Sequence, residues 1–435
     1  MKKPEICLVG DILVDVSLKT QNTSLKLRFG GIVHSARCLW ALNIPFSLAY
    51  FAPAYLDNQI SDYLTSLGCV ELIKLGNVTG SPYVFLVEEV KEVGNQGYDF
   101  LLREDIKIEY NEERLNYLMQ NDYSDYIVIS GNFDLHAVFK HIHGNIHLDV
   151  ANNISSLQEI LSLNKKLTTL FLSTSSDLFR NHYQNDLKKD FNVNCDYLIL
   201  KENRGGSRGL SLLEDEIISI GAQTRPITHS VGVGDVYNVV FVSQYHSTTV
   251  KNSMTLASWI AAEYAMTTFP DDFKRNVDRV IKSEIEDLIK LQGVSLPWEE
   301  RSSINIYIAA PDFNFVDVKP IDLLFNSLKY HNFAPRRPVI ENGQMEDNAS
   351  KKRRQELFTK DMQLLNDCSI LIAVLLYDDP GTLIEIGLAA AKGIPTIVYD
   401  PYGKANNCML TELPLLVSSD LDEIISEVFV QSVKL

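Results

Sequence analysis

"SILIAVLLYDDPGTLIEIGLAAAKGIPTIVYD", Ser369 to Asp400, reads as strand, turn, helix and strand. "SILIAVLL" is an unbroken apolar run bounded by turn residues, the mark of a strand buried on both faces, and "IPTIVYD" repeats it after the helix. Two such strands joined by a helix belong to a parallel sheet of α/β type. The helix is expected to start near Thr382 and carries one acid, Glu385, in a run that is otherwise apolar. Thr382-x-x-Glu385 has the spacing of a capping box, in which Thr caps the helix and Glu reaches back to its backbone. Asp378 and Asp379 stand at the preceding strand end, where open α/β sheets bind ligands, so Glu385 is either a cap or a reagent.

The same alternation runs outward along the chain. "EICLVGDILV", "DYIVISG", "GNIHLDVA", "TTLFLST" and "CDYLILKE" precede it, and "INIYIAA" opens a second series. "GVSLPWEERSSIN" (293–305) interrupts the pattern with Gly, Pro and a charge cluster. It places a boundary near 297–303, with domains over 1–297 and 304–435. "SPYVFLVEEVKEVGNQGYDFLLRED" holds two extended segments around the turn-prone "GNQG", a hairpin that can serve as a lid or a dimer contact.

At 435 residues two domains are the starting expectation, and 46% hydrophobic with 22% charged residues fits folded, globular protein. The net charge of −16 argues against nucleic-acid binding. "KKRR" at 351–354 reads as a solvated helix face. Six scattered cysteines without a C-x-x-C fit a reducing compartment. The apolar stretch of "MKKPEICLVGDILVD" is too short for a signal peptide, and no run approaches the ~18 apolar residues of a membrane helix, so a cytoplasmic protein is expected.

"RRQELFTKDMQLLNDC" reads as a helix with Leu357, Phe358, Met362 and Leu365 on one face. Asp361 projects from that apolar side, where a carboxylate is costly unless paired or useful. In "THSVGVGDVYNVVFVSQYH", Gly232 and Gly234 precede a helical pattern. Backbone N–H groups at such a start attract anions, and Asp235 could take a proton from an attacking hydroxyl. A tight turn with an acidic cap explains the same residues.

Residues 4–290 resemble the ribokinase-like (PfkB) carbohydrate and nucleoside kinase family. The resemblance is carried by "CLVGDILVD" (Gly10, Asp11, Asp15), "FGGIVHSARCLWAL" (Gly30, Gly31) and "HSVGVGD". It implies ATP and Mg²⁺ as cofactors, Asp235 as catalytic base, Gly232 and Gly234 as anion hole, and Asp15, Gly30 and Gly31 at the sugar. Ser35 falls near the family's hydroxyl-binding Asn. Asp177, in "STSSDLF", is the one acid where a metal-associated motif belongs. His229 replaces the family's usual Asp, and the glycines of "LKENRGGSRGL" depart from its order.

From about Asn305 to the end, the chain resembles the nucleoside 2-deoxyribosyltransferase family and its nucleotide N-glycosidase relatives. "IYIAAPDF", Asp361, "DDPGTLIEIGLAAAKGIP" and "ANNCM" carry this likeness. It implies Glu385 as nucleophile at an anomeric carbon, and Asp361 and Asp379 as groups that protonate or orient the base and hold sugar hydroxyls. Tyr307 would position Glu385, and Asn407 would contact substrate in its own or a neighbouring subunit's site. Carboxylates suit a reaction that passes through an oxocarbenium-like state. Arg336 and Arg337 could grip a 5′-phosphate or be plain surface charges.

The sequence therefore predicts a ribokinase-like α/β domain with a β-hairpin lid, followed by a smaller flavodoxin- or Rossmann-like domain. The expected protein acts on small nucleosides, nucleotides or sugars, needs no cofactor for glycosyl transfer, binds neither nucleic acid nor membrane, and forms a homo-oligomer. Its kinase-like domain either phosphorylates the sugar or nucleoside, or senses a nucleotide and controls a glycosidase that depletes a nucleotide or NAD-type pool.

Overall fold

The computed structural model describes residues 5–435 apart from 20–23, 81–82, 88–97, 102–104, 152, 183–194, 213, 215 and 347. The chain divides into two compact units between Ser295 and Leu296.

In the first unit the described residues form a ten-stranded sheet. Its centre is parallel and runs, in spatial order, Cys195–Lys201, Leu167–Ser173, Asn145–Val150, Asp125–Ile129, Ile6–Asp11, Phe46–Ala52 and Cys69–Thr79. Antiparallel strands close both edges: Ser207–Ser211 and Ile217–Ile220 on one side, Lys107–Tyr110 on the other. The central strands are the unbroken apolar runs of the sequence, and they are buried as such strands must be. A separate four-stranded sheet orders Lys26–Phe29, Val14–Ser17, Val84–Val87 and Tyr98–Phe100. The last two strands pair antiparallel as the expected hairpin. The "GNQG" turn between them lies outside the described residues.

The second unit is built on one all-parallel sheet in the order Ala334–Arg336, Asn305–Ala309, Ile370–Val374, Thr396–Tyr399, Leu416–Ser418. Numbered along the chain this is 2-1-3-4-5, the flavodoxin-like order, in which the direction of winding reverses between strands 1 and 3. Asn305–Ala309 and Ile370–Val374 flank that switch point, with Tyr307 beside Leu371. One face of the sheet packs on the helices Lys351–Asn366 and Pro380–Ala391 through Tyr307, Leu364, Leu365, Leu371, Ile386 and Ala389.

One sequence expectation is corrected in this unit. Phe358 is 63% exposed, because the buried stripe of its helix runs through Leu357, Leu364 and Leu365 and leaves Phe358 outside. The boundary segment contains a short helix, Trp298–Arg301, whose arginine is fully buried. Arg301 donates from Nε and Nη2 to the carbonyl of Leu296 at 3.1 and 3.0 Å, and its guanidinium lies over the rings of Trp298 and Phe429. Charge in a linker is cheap, but a buried guanidinium is tolerated only with such partners. Arg301→Ala leaves a buried carbonyl short of a donor and opens a cavity. It should destabilise the second unit by roughly 3 kcal/mol or more, read as a lowered urea midpoint.

Candidate functional site

In the second unit the winding reversal brings Tyr307 and Glu385 together. Tyr307 is buried in mid-strand, and its hydroxyl donates to Glu385 Oε1 at 2.7 Å. Glu385 does not cap its helix. The N-cap is Asp379, whose Oδ2 accepts from the backbone N–H of Thr382 at 2.7 Å and from its hydroxyl at 2.8 Å. Pro380 occupies the first helical turn, where a missing N–H costs nothing. The capping-box reading is thereby corrected: Glu385 lies six residues beyond the cap and turns instead to the sheet.

Burial pushes the Glu385 carboxyl up from 4.5 to about 7, the Tyr307 hydrogen bond holds it down, and Asp361 and Asp379 raise it further by like charge. Asp361, half-buried, is raised as well, first by burial, while Asn342 Nδ2 donates to its Oδ1 at 2.8 Å and holds it down. The Tyr307 hydroxyl is pushed well above its usual range by burial and by Glu385, so it remains a donor. Three carboxylates with one tyrosine proton among them form a cluster suited to stabilising a positive centre and delivering a proton. Asn342 escaped the sequence reading, since nothing in "APRRPVIENGQ" singles it out.

The other predicted residues of this unit are engaged elsewhere. Arg336 pairs with Glu341, its Nε 2.9 and 3.0 Å from the two carboxylate oxygens. Arg337 grips Asp312 with Nε and Nη2, both at 2.8 Å, and Asp322 with Nη1 at 2.6 Å. Asn407 is exposed and caps its own short helix by accepting from Met409 N–H.

In the first unit, the helix Val233–Tyr245 starts at Gly232, which has a φ of 79° and supplies no side-chain cap, so the helix start keeps its attraction for an anion. Asp235 lies in its first turn. Burial and then Asp149 push Asp235 up from 3.8 to about 8, against the pull of Lys201. Lys201 Nζ lies 3.0 and 3.1 Å from the Asp149 oxygens and 3.1 Å from Asn238 Oδ1, and Asn238 Nδ2 donates to Asp149 at 2.7 Å. A side chain on Gly234 would approach Lys201 Nζ to 3.2 Å. Sequence reasoning missed Asp149, Lys201 and Asn238; their only signal is the placing of Asp149 and Lys201 at strand ends.

The sugar-side residues are arranged differently from expectation. Ser35 is wholly buried, its hydroxyl without a partner among the described residues. His34 precedes it in the same helix, Val33–Ala41. Its Nε2 lies 3.1 Å from Asp15 Oδ2, and its Nδ1 2.7 Å from the Tyr264 hydroxyl and 3.2 Å from Arg37 Nη1. Burial lowers His34 from 6.5 to about 4, so the ring is neutral and Nε2–H donates to Asp15. A side chain on Gly232 would collide with this imidazole, and one on Gly30 would collide with the Asp15 carboxylate. The glycines thus keep room for protein groups already present.

An uncapped helix start beside Lys201 fits the phosphates of ATP. Asp177 is exposed, and among the described residues no group of three or more His, Cys, Asp or Glu that could hold a metal occurs.

The comparisons assign the two units to separate classes. The first has the ribokinase-like fold. It is similar to a fructokinase with bound ATP from Xylella fastidiosa, at 11% identity and a TM-score of 0.50 over 66% of this chain and 99% of that one. A ribokinase from Thermotoga maritima (15% identity, TM-score 0.48, 65% of this chain, 100% of that one) matches the same share of the chain. So does an Arabidopsis thaliana ribokinase complexed with ribose and ATP (14%, 0.48, 65% and 99%). At these identities the likeness is one of fold. In the second unit, residues 306–417 match the family model of nucleoside 2-deoxyribosyltransferase. No curated protein matches the chain. Among the described residues, no helix is long and apolar enough to cross a membrane.

Two outcomes test the site's geometry without any substrate. The Glu385 carboxyl band, isolated by infrared difference against Glu385→Gln, should titrate near pH 7 and move to higher pH in Tyr307→Phe, because the lost hydrogen bond favoured the anion. Asp379→Ala should cost about 1 kcal/mol in urea unfolding and Glu385→Gln clearly less, since only Asp379 caps the helix.

Proposed function

We propose that the second unit breaks the N-glycosidic bond of a nucleoside or nucleotide and passes the sugar to water or to another base, with Glu385 as nucleophile. The observation that carries this reading is the Tyr307–Glu385 hydrogen bond at the winding reversal of the sheet. It points one carboxylate oxygen at the sheet and leaves the other for substrate. The carboxylate attacks the anomeric carbon, and the bond to the base nitrogen breaks with its electron pair leaving on the base. Asp361, held by Asn342, supplies the proton that the departing base takes up. Water or an acceptor base then attacks the same carbon and releases Glu385 from the glycosyl ester. Asp379, fixed by its cap bonds, would hold a sugar hydroxyl.

For the first unit we propose ATP binding at the helix start 232–235. Backbone N–H groups and Lys201 would face phosphate, and Asp235 would accept a hydroxyl proton if phosphoryl transfer occurs. The ATP bound to the fructokinase of similar fold supports ATP as the ligand. His34 favours a second reading, in which the unit holds a nucleotide without transferring its phosphate and thereby controls the glycosidase: the ring is already bonded to the carboxylate meant for the sugar and lies against Gly232.

Free base measured by chromatography, over a panel of nucleosides, nucleotides and NAD, should appear with the intact chain and fall by about 10³-fold or more in Glu385→Gln. Equal release by the variant removes the assignment. ADP formed with sugars or nucleosides, falling by roughly 10²–10⁴-fold in Asp235→Asn, supports the kinase; ATP binding without ADP supports the sensor.

A further inference from the structure

Asp361 is held from outside its own helix by Asn342, whose Nδ2 donates to Oδ1 at 2.8 Å. Asn342 ends the helix Pro338–Asn342, five residues of which none is buried, and Ile340 within it is 69% exposed. A single turn has little stability of its own, and apolar burial does not supply it here. Ion pairing does. Glu341 lies in that turn, and Arg336 reaches it with Nε, 2.9 and 3.0 Å from the two carboxylate oxygens, and with Nη2. Glu341 Oε1 also accepts from the backbone N–H of Arg337, the N-cap residue of the turn, at 3.2 Å. Arg336 ends the edge strand Ala334–Arg336 and stands beside Tyr307 in the sheet. Arg337 fastens the start of the same turn to Asp312 and Asp322. Arg336, Glu341, Asn342 and Asp361 thus connect the sheet to the acid in series.

We propose that the Arg336–Glu341 ion pair is a positioning device for the general acid: it holds the turn that aims Asn342 at Asp361, and so orients the carboxyl that meets the departing base. The inference rests on the proposed glycosyl transfer and adds to it two residues that act only through Asn342. A bidentate guanidinium suits the task, because its paired bonds fix the angle of the turn as well as its distance. Both side chains are 32% exposed, so the pair contributes little to global stability, and its loss is felt locally, at Asn342. Besides Asn342, the groups that face Asp361 are Lys360 on its own helix, Tyr307 from the strand Asn305–Ala309 and Glu385 from the helix Pro380–Ala391. Asn342 donates to the carboxylate and favours the anion; when it withdraws, burial keeps the proton on Asp361 to higher pH.

The test reads Asp361 and turnover separately on the full chain. The Asp361 carboxyl band, isolated by infrared difference against the same chain carrying Asp361→Asn, gives its titration midpoint without substrate. Base release from the panel of nucleosides and nucleotides gives kcat and KM. Arg336→Ala and Glu341→Ala should each move the midpoint to higher pH, the direction of Asn342→Ala, although one removes a positive and the other a negative charge. Each should lower kcat about tenfold with KM changed by less than about twofold. Neither should add to Asn342→Ala when combined with it. Midpoints that move in opposite directions show a plain charge effect and overturn the inference, as do unmoved midpoints or losses that add to that of Asn342→Ala. Base release from no member of the panel defeats the glycosyl reading itself. The infrared titrations then decide the role of the ion pair alone: a common upward shift that vanishes in the Asn342→Ala background supports it, and any other pattern overturns it.

Discussion

A single hydrogen bond, from Tyr307 in the first strand of the second unit to Glu385 in the helix after the third, organises the candidate site. A carboxylate in the first turns of an apolar helix is expensive, and without a donor burial would simply keep it protonated. The tyrosine lowers that cost and fixes one oxygen. Its own position follows from the sheet order, because only the 2-1-3 arrangement sets strand Asn305–Ala309 beside Ile370–Val374 and so under the helix that carries Glu385. Asp379 completes the frame by setting where that helix begins.

The fold was legible in the sequence because it is written in apolar runs, and buried parallel strands leave no other trace. The site was legible only in part. Glu385 and Tyr307 stand 78 residues apart, so no spacing joins them; the family resemblance did. The cap was misread although Pro380 signalled it: proline favours the first helical position, which makes the residue before it, Asp379, the cap. Arg337 looked free because Asp312 and Asp322 approach from another loop and another helix. His34 stood unnoticed beside Ser35, since only the helix orientation tells which of two neighbours faces a site.

The two units handle negative charge in contrasting ways. In the first, an uncapped helix start beside Lys201 stays receptive to an anion while burial raises the Asp235 carboxyl above its usual range. In the second, Arg336, Arg337 and the start of the helix Pro380–Ala391 are each closed by an acid. On the proposed glycosyl transfer, the sugar released from a nucleoside would carry a free 5-hydroxyl, the class of compound that an ATP-dependent kinase could phosphorylate. His34 is seated between Asp15 and Gly232.

The central claim is that Glu385 becomes covalently bonded to the sugar. Mass spectrometry of the acid-quenched protein after incubation with 2′-deoxynucleosides, followed by peptide mapping, tests it most directly. The account predicts a mass increase of one deoxyribosyl group, confined to the peptide that carries Glu385. Base release with no adduct, or an adduct on any other residue, would contradict it.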